Sequence, residues 1–346
     1  MVATCEETSR GQGMSKREIL ASTLERSGLG ALLSSTVGRW QGLLVFNYHR
    51  VGDGSKTLFD RGIYSATQAE FDRQVAFLKK QFDIVRISDL EEVLHRRGRA
   101  ILLTFDDGYR DNYDFAFPVL SRHQTSATFF LTSGFLDGGP LAWWDEIAWM
   151  VHSSRESWLF PHHDLPELLS LATADEREAA IVRLLHVYKS LPAERTTIFL
   201  DRLGERTGTG RCPPELARHL WMTWDMAREM DRCGMDIGGH TVSHPVLAHS
   251  SLSAQREEIF TSKQRIELQL GHPITSFSYP VGQPDSFTEA TQALLHEAGY
   301  RWAFSFSGGF SSPGKVNQLN VPRVPVAPHI SHELFQSTAR LPWLFA

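Results

Sequence analysis

Cysteine is scarce in this chain: Cys5, Cys212 and Cys233 form an odd set without metal-type spacing. A disulfide-stapled scaffold and a cysteine-built zinc site are therefore not expected, and a reducing, cytoplasmic setting is. No apolar run approaches the length of a membrane span, so no transmembrane segment is expected. Basic residues are not in excess. Against 40 Asp and Glu stand 35 Lys and Arg, a net charge of −5, which argues against nucleic acid as a partner. The opening stretch MVATCEETSRGQGMSKREIL has acids and no apolar core, unlike a secretory signal. Met14 is an alternative start, and export would follow only from a different start. Internal repeats and low-complexity tracts are missing too.

What is present looks globular. Of 346 residues, 42% are apolar and 22% charged, enough for one large α/β domain with an insertion or for two domains. Residues 1–40 read as an N-terminal extension with one amphipathic helix, SKREILASTLERSGLGALLSS. This is read as a surface helix, with peripheral membrane or partner contact as the alternative. From residue 42 strands and helices alternate. LLVFNYH, DIVRI, AILLTF and SATFFLT have strand length and composition, and TQAEFDRQVAFLKKQF has helical periodicity with a Thr67–Glu70 capping box. Residues 140–222 break the alternation with mostly helical patterns. It resumes with MDIGGH, ITSFSYP and YRWAFSF as strands between helices. Such alternation implies parallel strands with chemistry at their carboxyl ends.

Three strand ends stand out. In LLTFDDG a buried strand runs into two adjacent carboxylates, Asp106 and Asp107, and Gly108 permits a turn that brings both to the strand mouth. Two neighbouring carboxylates repel, and a divalent cation taking one as ligand would relieve this. A DD-G turn alone is more often a solvated strand end. GGHTVSHP then places His240 and His244 four residues apart at another strand end, a spacing that clamps zinc between imidazoles. With 15 histidines a chance pair is expected somewhere, but not one beside a strand-end acidic pair. Two His and one Asp leave a coordination position open for water, as catalytic sites do. SFSYPVG, residues 276–282, offers a sharply turned loop with a backbone N–H as oxyanion donor.

TFDDG, HTVSH and SYPVG, in that order, resemble the polysaccharide deacetylase family with NodB homology, over about residues 42–136 and 223–326. The resemblance implies a distorted (β/α)7-type barrel, which here would span residues 41–346 with a helical insertion at about 140–222. It also implies metal-dependent removal of acetyl groups from sugars. Asp106 would be the general base, and Asp107, His240 and His244 would hold a divalent metal, zinc first, with cobalt or nickel as alternatives. Thr241 stands where the motif has Ser or Thr. Many members carry an arginine where this chain has Ser278, and no aspartate-rich fourth motif is present. The chain is instead similar to a branch with a Tyr-His strand end, FNYHRV, and a Tyr-Pro-x-Gly third motif. AWWDEIAW and VPRVPV are similar to the same branch.

From this follows a detailed expectation. The substrate is an N-acetylated glycan, hydrolysed by metal-activated water with Asp106 as base. The oxyanion is held at the turn of Tyr279, Pro280 and Gly282, through the Tyr279 N–H, with Trp144 and Arg323 also placed at the substrate or oxyanion site. Arg323 takes over the tether of Asp106 from the missing arginine. His49, at the end of the first strand, is the general acid, because a barrel sets its first strand against its last. His329 is the alternative acid by chain order. Of Trp143, Trp144 and Trp149, two are read as core. Competing readings are a ring-opening amidohydrolase on a small nitrogenous substrate, an O-acetyl esterase and, of a different class, a glycan-binding pseudo-enzyme.

Overall fold

The computed structural model describes residues 15–36, 40–95, 98–139, 141–161, 163–328 and 330–346; Cys5, Met14 and His329 lie outside them. Nine strands build the main sheet: β1 (Gly42–Tyr48), β2 (Asp83–Ile84), β3 (Arg99–Phe105), β4 (Thr128–Leu131), β5 (Asp236–Gly239), β6 (Ser276–Ser278), β7 (Trp302–Ser305), β8 (Val321–Pro322) and β9 (Val324–Pro325). The path runs β8-β7-β6-β5-β4-β3-β1-β9, with β2 beside the start of β3. Every neighbouring pair is parallel.

Strands β8 and β9 are two halves of one extended segment, parted only by Arg323. The first half pairs with β7 and the second with β1, so residues 321–325 close the sheet into a barrel. VPRVPV, with Pro322 and Pro325, shows no strand pattern in the sequence. Proline lacks only the N–H, and the ladder here uses the other donors: Arg323 N–H bonds Ser305 O and Val326 N–H bonds Asn47 O.

Alternation along the strands sorts the side chains. Leu44, Phe46 and Tyr48 pack outward against Phe71 and Val75 of the helix Gln68–Gln81, which begins at the expected Thr67–Glu70 capping box. Leu43, Val45, Leu102, Phe130, Phe304 and Val321 form a separate interior cluster. On β1 and β3 the inward series continues as Asn47 and as Thr104 and Asp106. The barrel interior is thus apolar below and polar at the carboxyl ends.

Three differences from the sequence reading have local causes. The strand expected over DIVRI shrinks to β2, because the chain leaves β3 and Ile87 N–H turns to Asp236 Oδ2 at 2.9 Å. The single N-terminal helix is two, Lys16–Arg26 and Leu29–Thr36, broken at Gly28 with φ 74°. Between β4 and β5 lie the helices Trp143–Ser153, Ala174–Ser190 and Ala193–Thr207, but also an unforeseen antiparallel pair, Trp158–Leu159 with Leu169–Ser170. This segment has its own core, including Ile147, Met150, Ile181, Leu184, Phe199 and Leu203.

Candidate active site

Asp106 is the last of the inward-facing series and is buried at the top of the barrel. It is held by Arg323, which is fully buried in the closing segment. Nη1 meets Asp106 Oδ1 and Nη2 meets Oδ2, both at 2.8 Å. The guanidinium also donates to Asn47 Oδ1 at 2.6 Å and to Ser278 Oγ at 2.8 Å, and it lies over the Phe130 and Phe306 rings. Ser278 occupies the place of the missing arginine and donates in turn to Asp106 Oδ2 at 3.1 Å. Burial works to raise the Asp106 pKa, but Arg323 and then His240 outweigh it and hold the carboxyl well below its usual range.

Asp107 would point outward if the strand continued. Instead it takes φ 77° and Gly108 φ 89°, and the Gly108 N–H returns to Asp106 O at 3.0 Å. Both carboxylates therefore reach the mouth. Asp107, Thr241, His244 and Val281 are four of the five non-glycine residues with positive φ among the described residues. Backbone strain of about 1–3 kcal/mol at each is concentrated on three strand-end loops, a pattern typical of functional sites.

Asp107 Oδ1 lies 3.4 Å from His240 Nε2 and 3.5 Å from His244 Nε2. It is buried without a hydrogen-bond donor. His240 Nδ1 is 2.7 Å from Ser278 O, a contact only an N–H can make, which turns Nε2 toward Asp107; against burial, Asp106 and then Asp107 raise the His240 pKa. Burial lowers the His244 pKa to about 3, reinforced by His240 and opposed by Asp107, so this imidazole is neutral. A buried carboxylate oxygen without a hydrogen bond, with two imidazole nitrogens converging on it, is an arrangement that a cation between them satisfies. The donor atoms lie within 4.8 Å of one another, and a divalent metal fits this set.

These residues line a cavity of about 220 Å³ together with His49, Asp60, Trp143, Trp144, Lys189 and Val281. That is below the roughly 300–1,000 Å³ of drug-sized sites, so the enclosed part admits one ring-sized group. Hollows of about 660 and 650 Å³ lie beside strand starts, near Trp302 and Arg99, away from the donor set. Trp143, Trp144 and Lys189 belong to helices between β4 and β5, which therefore supply one wall. Trp143, Trp144 and Trp149 are all buried, and the first two also border the cavity. The Trp144 ring packs on His244 at 4.5 Å between centroids.

His49 is partly exposed and lines the cavity. Burial lowers its pKa, partly offset by Asp107 and Asp106. Other expectations need correction. The Tyr279 N–H is no oxyanion donor, because it bonds Phe304 O at 3.1 Å within the sheet. Pro280 and Gly282 shape the turn without lining the cavity: Gly282 has φ 67° and its N–H returns to Pro280 O. Arg323 is enclosed and positions Asp106 without meeting the cavity. In that turn the Val281 N–H makes no hydrogen bond among the described residues, and Val281 borders the cavity. Sequence reasoning missed it, because only the register shows which N–H the ladder consumes. It also missed Asp60 and Lys189, which lie in segments with no motif.

The family model "Polysaccharide deacetylase" matches residues 95–167 and 169–303. YxkH of Bacillus subtilis (strain 168), named as a candidate polysaccharide deacetylase, is 22% identical over 237 residues, 68% of this chain. The chain spans 55% of the length of that relative. Among solved structures it is similar to IcaB from Ammonifex degensii, with 20% identity, 88% and 98% of the two chains covered and a TM-score of 0.54. It is also similar to the Streptococcus pyogenes deacetylase PplD in complex with acetate, with 17% identity, 86% and 97% covered and a TM-score of 0.54. These likenesses show the barrel fold.

Proposed function

The chain belongs to the polysaccharide deacetylase family, and from that premise we propose that it removes N-acetyl groups from N-acetylhexosamine units of a polysaccharide or its precursor. One observation carries the reading. A carboxylate kept ionised by a buried arginine stands next to an Asp-His-His donor set in a single cavity.

Asp107, His240 and His244 would hold a divalent ion, zinc first by its preference for nitrogen and oxygen donors in a three-ligand open site. The chemistry supplied with such an ion is that of a Lewis acid: a more acidic water and a polarised acetyl carbonyl. Asp106 accepts the proton of the attacking water, and Arg323 keeps both carboxylate oxygens aligned for it. The Val281 N–H is available to the oxygen on which charge develops. The departing nitrogen needs a proton, and we assign that role to His49, which lines the same cavity.

Two expected outcomes test these roles. Acetate should be released from N-acetylglucosamine oligomers, and a chelator should abolish it; release unaffected by chelation would overturn the proposal. The small enclosed volume also favours a second reading, a ring-opening amidohydrolase, so a cyclic amide and an O-acetylated xylan belong in the same panel. His49→Ala should keep its metal and lose about 10²–10⁴-fold in turnover. Because the His49 pKa is lowered and the protonated form is required, kcat/KM should fall as pH rises through a value below that of ordinary histidine. That limb should vanish in His49→Ala, and its persistence would move the acid elsewhere.

Two settings belong to the same proposal. Cys212 and Cys233 are both free thiols, which supports a cytoplasmic location. No helix among the described residues is long and apolar enough to cross a membrane. Ile19, Leu20, Leu29 and Leu32 are exposed on the N-terminal helices, which supports peripheral membrane contact there.

A further inference from the structure

Asp60 has no part in the chemistry above. It comes from the loop between Val51 and Tyr64, outside every recognised motif. Its side chain is buried, yet it borders the same cavity as Asp106, Asp107 and the two imidazoles. Oδ1 accepts the Gly62 N–H at 2.8 Å. Oδ2 makes no hydrogen bond among the described residues.

The loop is held from behind by buried polar groups. The Asp60 N–H donates to Asp145 Oδ1 at 2.9 Å, and Tyr109 Oη donates to Asp145 Oδ2 at 2.6 Å. Trp144 Nε1 donates to Tyr109 Oη at 2.7 Å, and the Trp144 ring rests on His244. The Arg50 guanidinium lies 4.5 Å from the Tyr109 ring centroid and pairs with Asp111. Burying this many polar side chains is costly unless they are mutually satisfied, and the chain they form fixes Asp60 relative to a metal-ligand histidine.

We propose that Asp60 anchors the substrate by accepting hydrogen bonds from hydroxyl groups of the sugar whose acetyl group enters the donor set. The Asp60 carboxyl borders the cavity with one oxygen beyond the Gly62 contact, and a carboxylate oxygen of that kind selects a donor. The cavity's other lining decides which donor. Lys189 brings an ammonium to the same cavity, which disfavours a cationic group, whereas a neutral ring carrying both hydroxyl donors and acceptors suits both side chains. Trp143 and Trp144 add aromatic surface for the C–H faces of such a ring. The inference rests on the deacetylase reading and adds to it a residue that recognises the sugar.

The test uses the full chain and a tetramer of N-acetylglucosamine. Binding is followed by tryptophan emission, since Trp143 and Trp144 line the cavity, and turnover by acetate release. Asp60→Asn retains an Oδ1 acceptor for Gly62 and so preserves the loop; Asp60→Ala removes the side chain. Both should weaken binding about tenfold or more and raise KM by a similar factor, with the larger part of the kcat/KM loss in KM. Unchanged affinity in Asp60→Asn, or a wild-type protein that does not bind the tetramer, would overturn the inference. Wild-type binding that depends on Asp60 but yields no acetate would instead overturn the deacetylase reading and leave Asp60 as a sugar-binding residue without that chemistry. Normal turnover that ignores Asp60 would do the reverse.

Discussion

His240→Ala and Asp107→Asn should each lose the bound metal and reduce acetate release to background, whereas Asp106→Asn should keep the metal and lose about 10²–10⁴-fold in turnover. The split follows from what each atom faces. Asp107 Oδ1 meets two imidazole nitrogens and no donor, so its amide replacement removes a ligand. Both Asp106 oxygens are already taken by Arg323, leaving it a proton acceptor beside the donor set. Metal content by elemental analysis and single-turnover acetate release decide the matter. Full metal occupancy in Asp107→Asn, or loss of metal in Asp106→Asn, would exchange the two roles.

Arg323→Met should destabilise the protein by about 3–5 kcal/mol, because it leaves the Asp106 charge buried without its partner. Chemical denaturation measures this. The double variant Asp106→Asn/Arg323→Met should recover much of the loss, since neither charge remains; additive losses would mean the two side chains are energetically independent. The pH dependence has a definite sign. The native Asp106 pKa lies below its unfolded value, so its contribution to stability is present above the unfolded pKa and is lost as pH falls through the native one. Without Arg323, burial acts unopposed by its strongest counterweight and the pKa rises. The acidic limb of kcat/KM should therefore move to higher pH in Arg323→Met. Arg323→Lys should not restore the wild-type profile, because an ammonium cannot make the paired contact to both oxygens.

The barrel and the grouping of Asp107, His240 and His244 were legible because they are written in local patterns. Phe105-Asp106-Asp107-Gly108 ends a buried run, and His240 and His244 end another, so strand ends could be found without coordinates. What could not be read depends on contacts between distant segments. Residues 321–325 look like a broken loop until their donors are assigned to β7 and β1. The Tyr279 N–H looks free until the register gives it to Phe304. Asp60 carries no motif and Asp145 sits in AWWDEIAW without a sign of its partner, and their meaning lies in an 85-residue separation that only the fold removes. The small hairpin between the inserted helices was hidden for a simpler reason: two-residue strands carry no periodicity.

The closing segment has a consequence for the order of events during synthesis. Asp106 and its partner stand 217 residues apart, and the partner lies in the last stretch to join the sheet. A ribosome-bound chain that has emerged only as far as Phe306 already contains Asp107, His240 and His244. It lacks the guanidinium that ionises and aligns the base. The base is therefore ionised and aligned only once residues 321–325 have paired with β7 and β1, after every segment that carries the Asp-His-His set has been made.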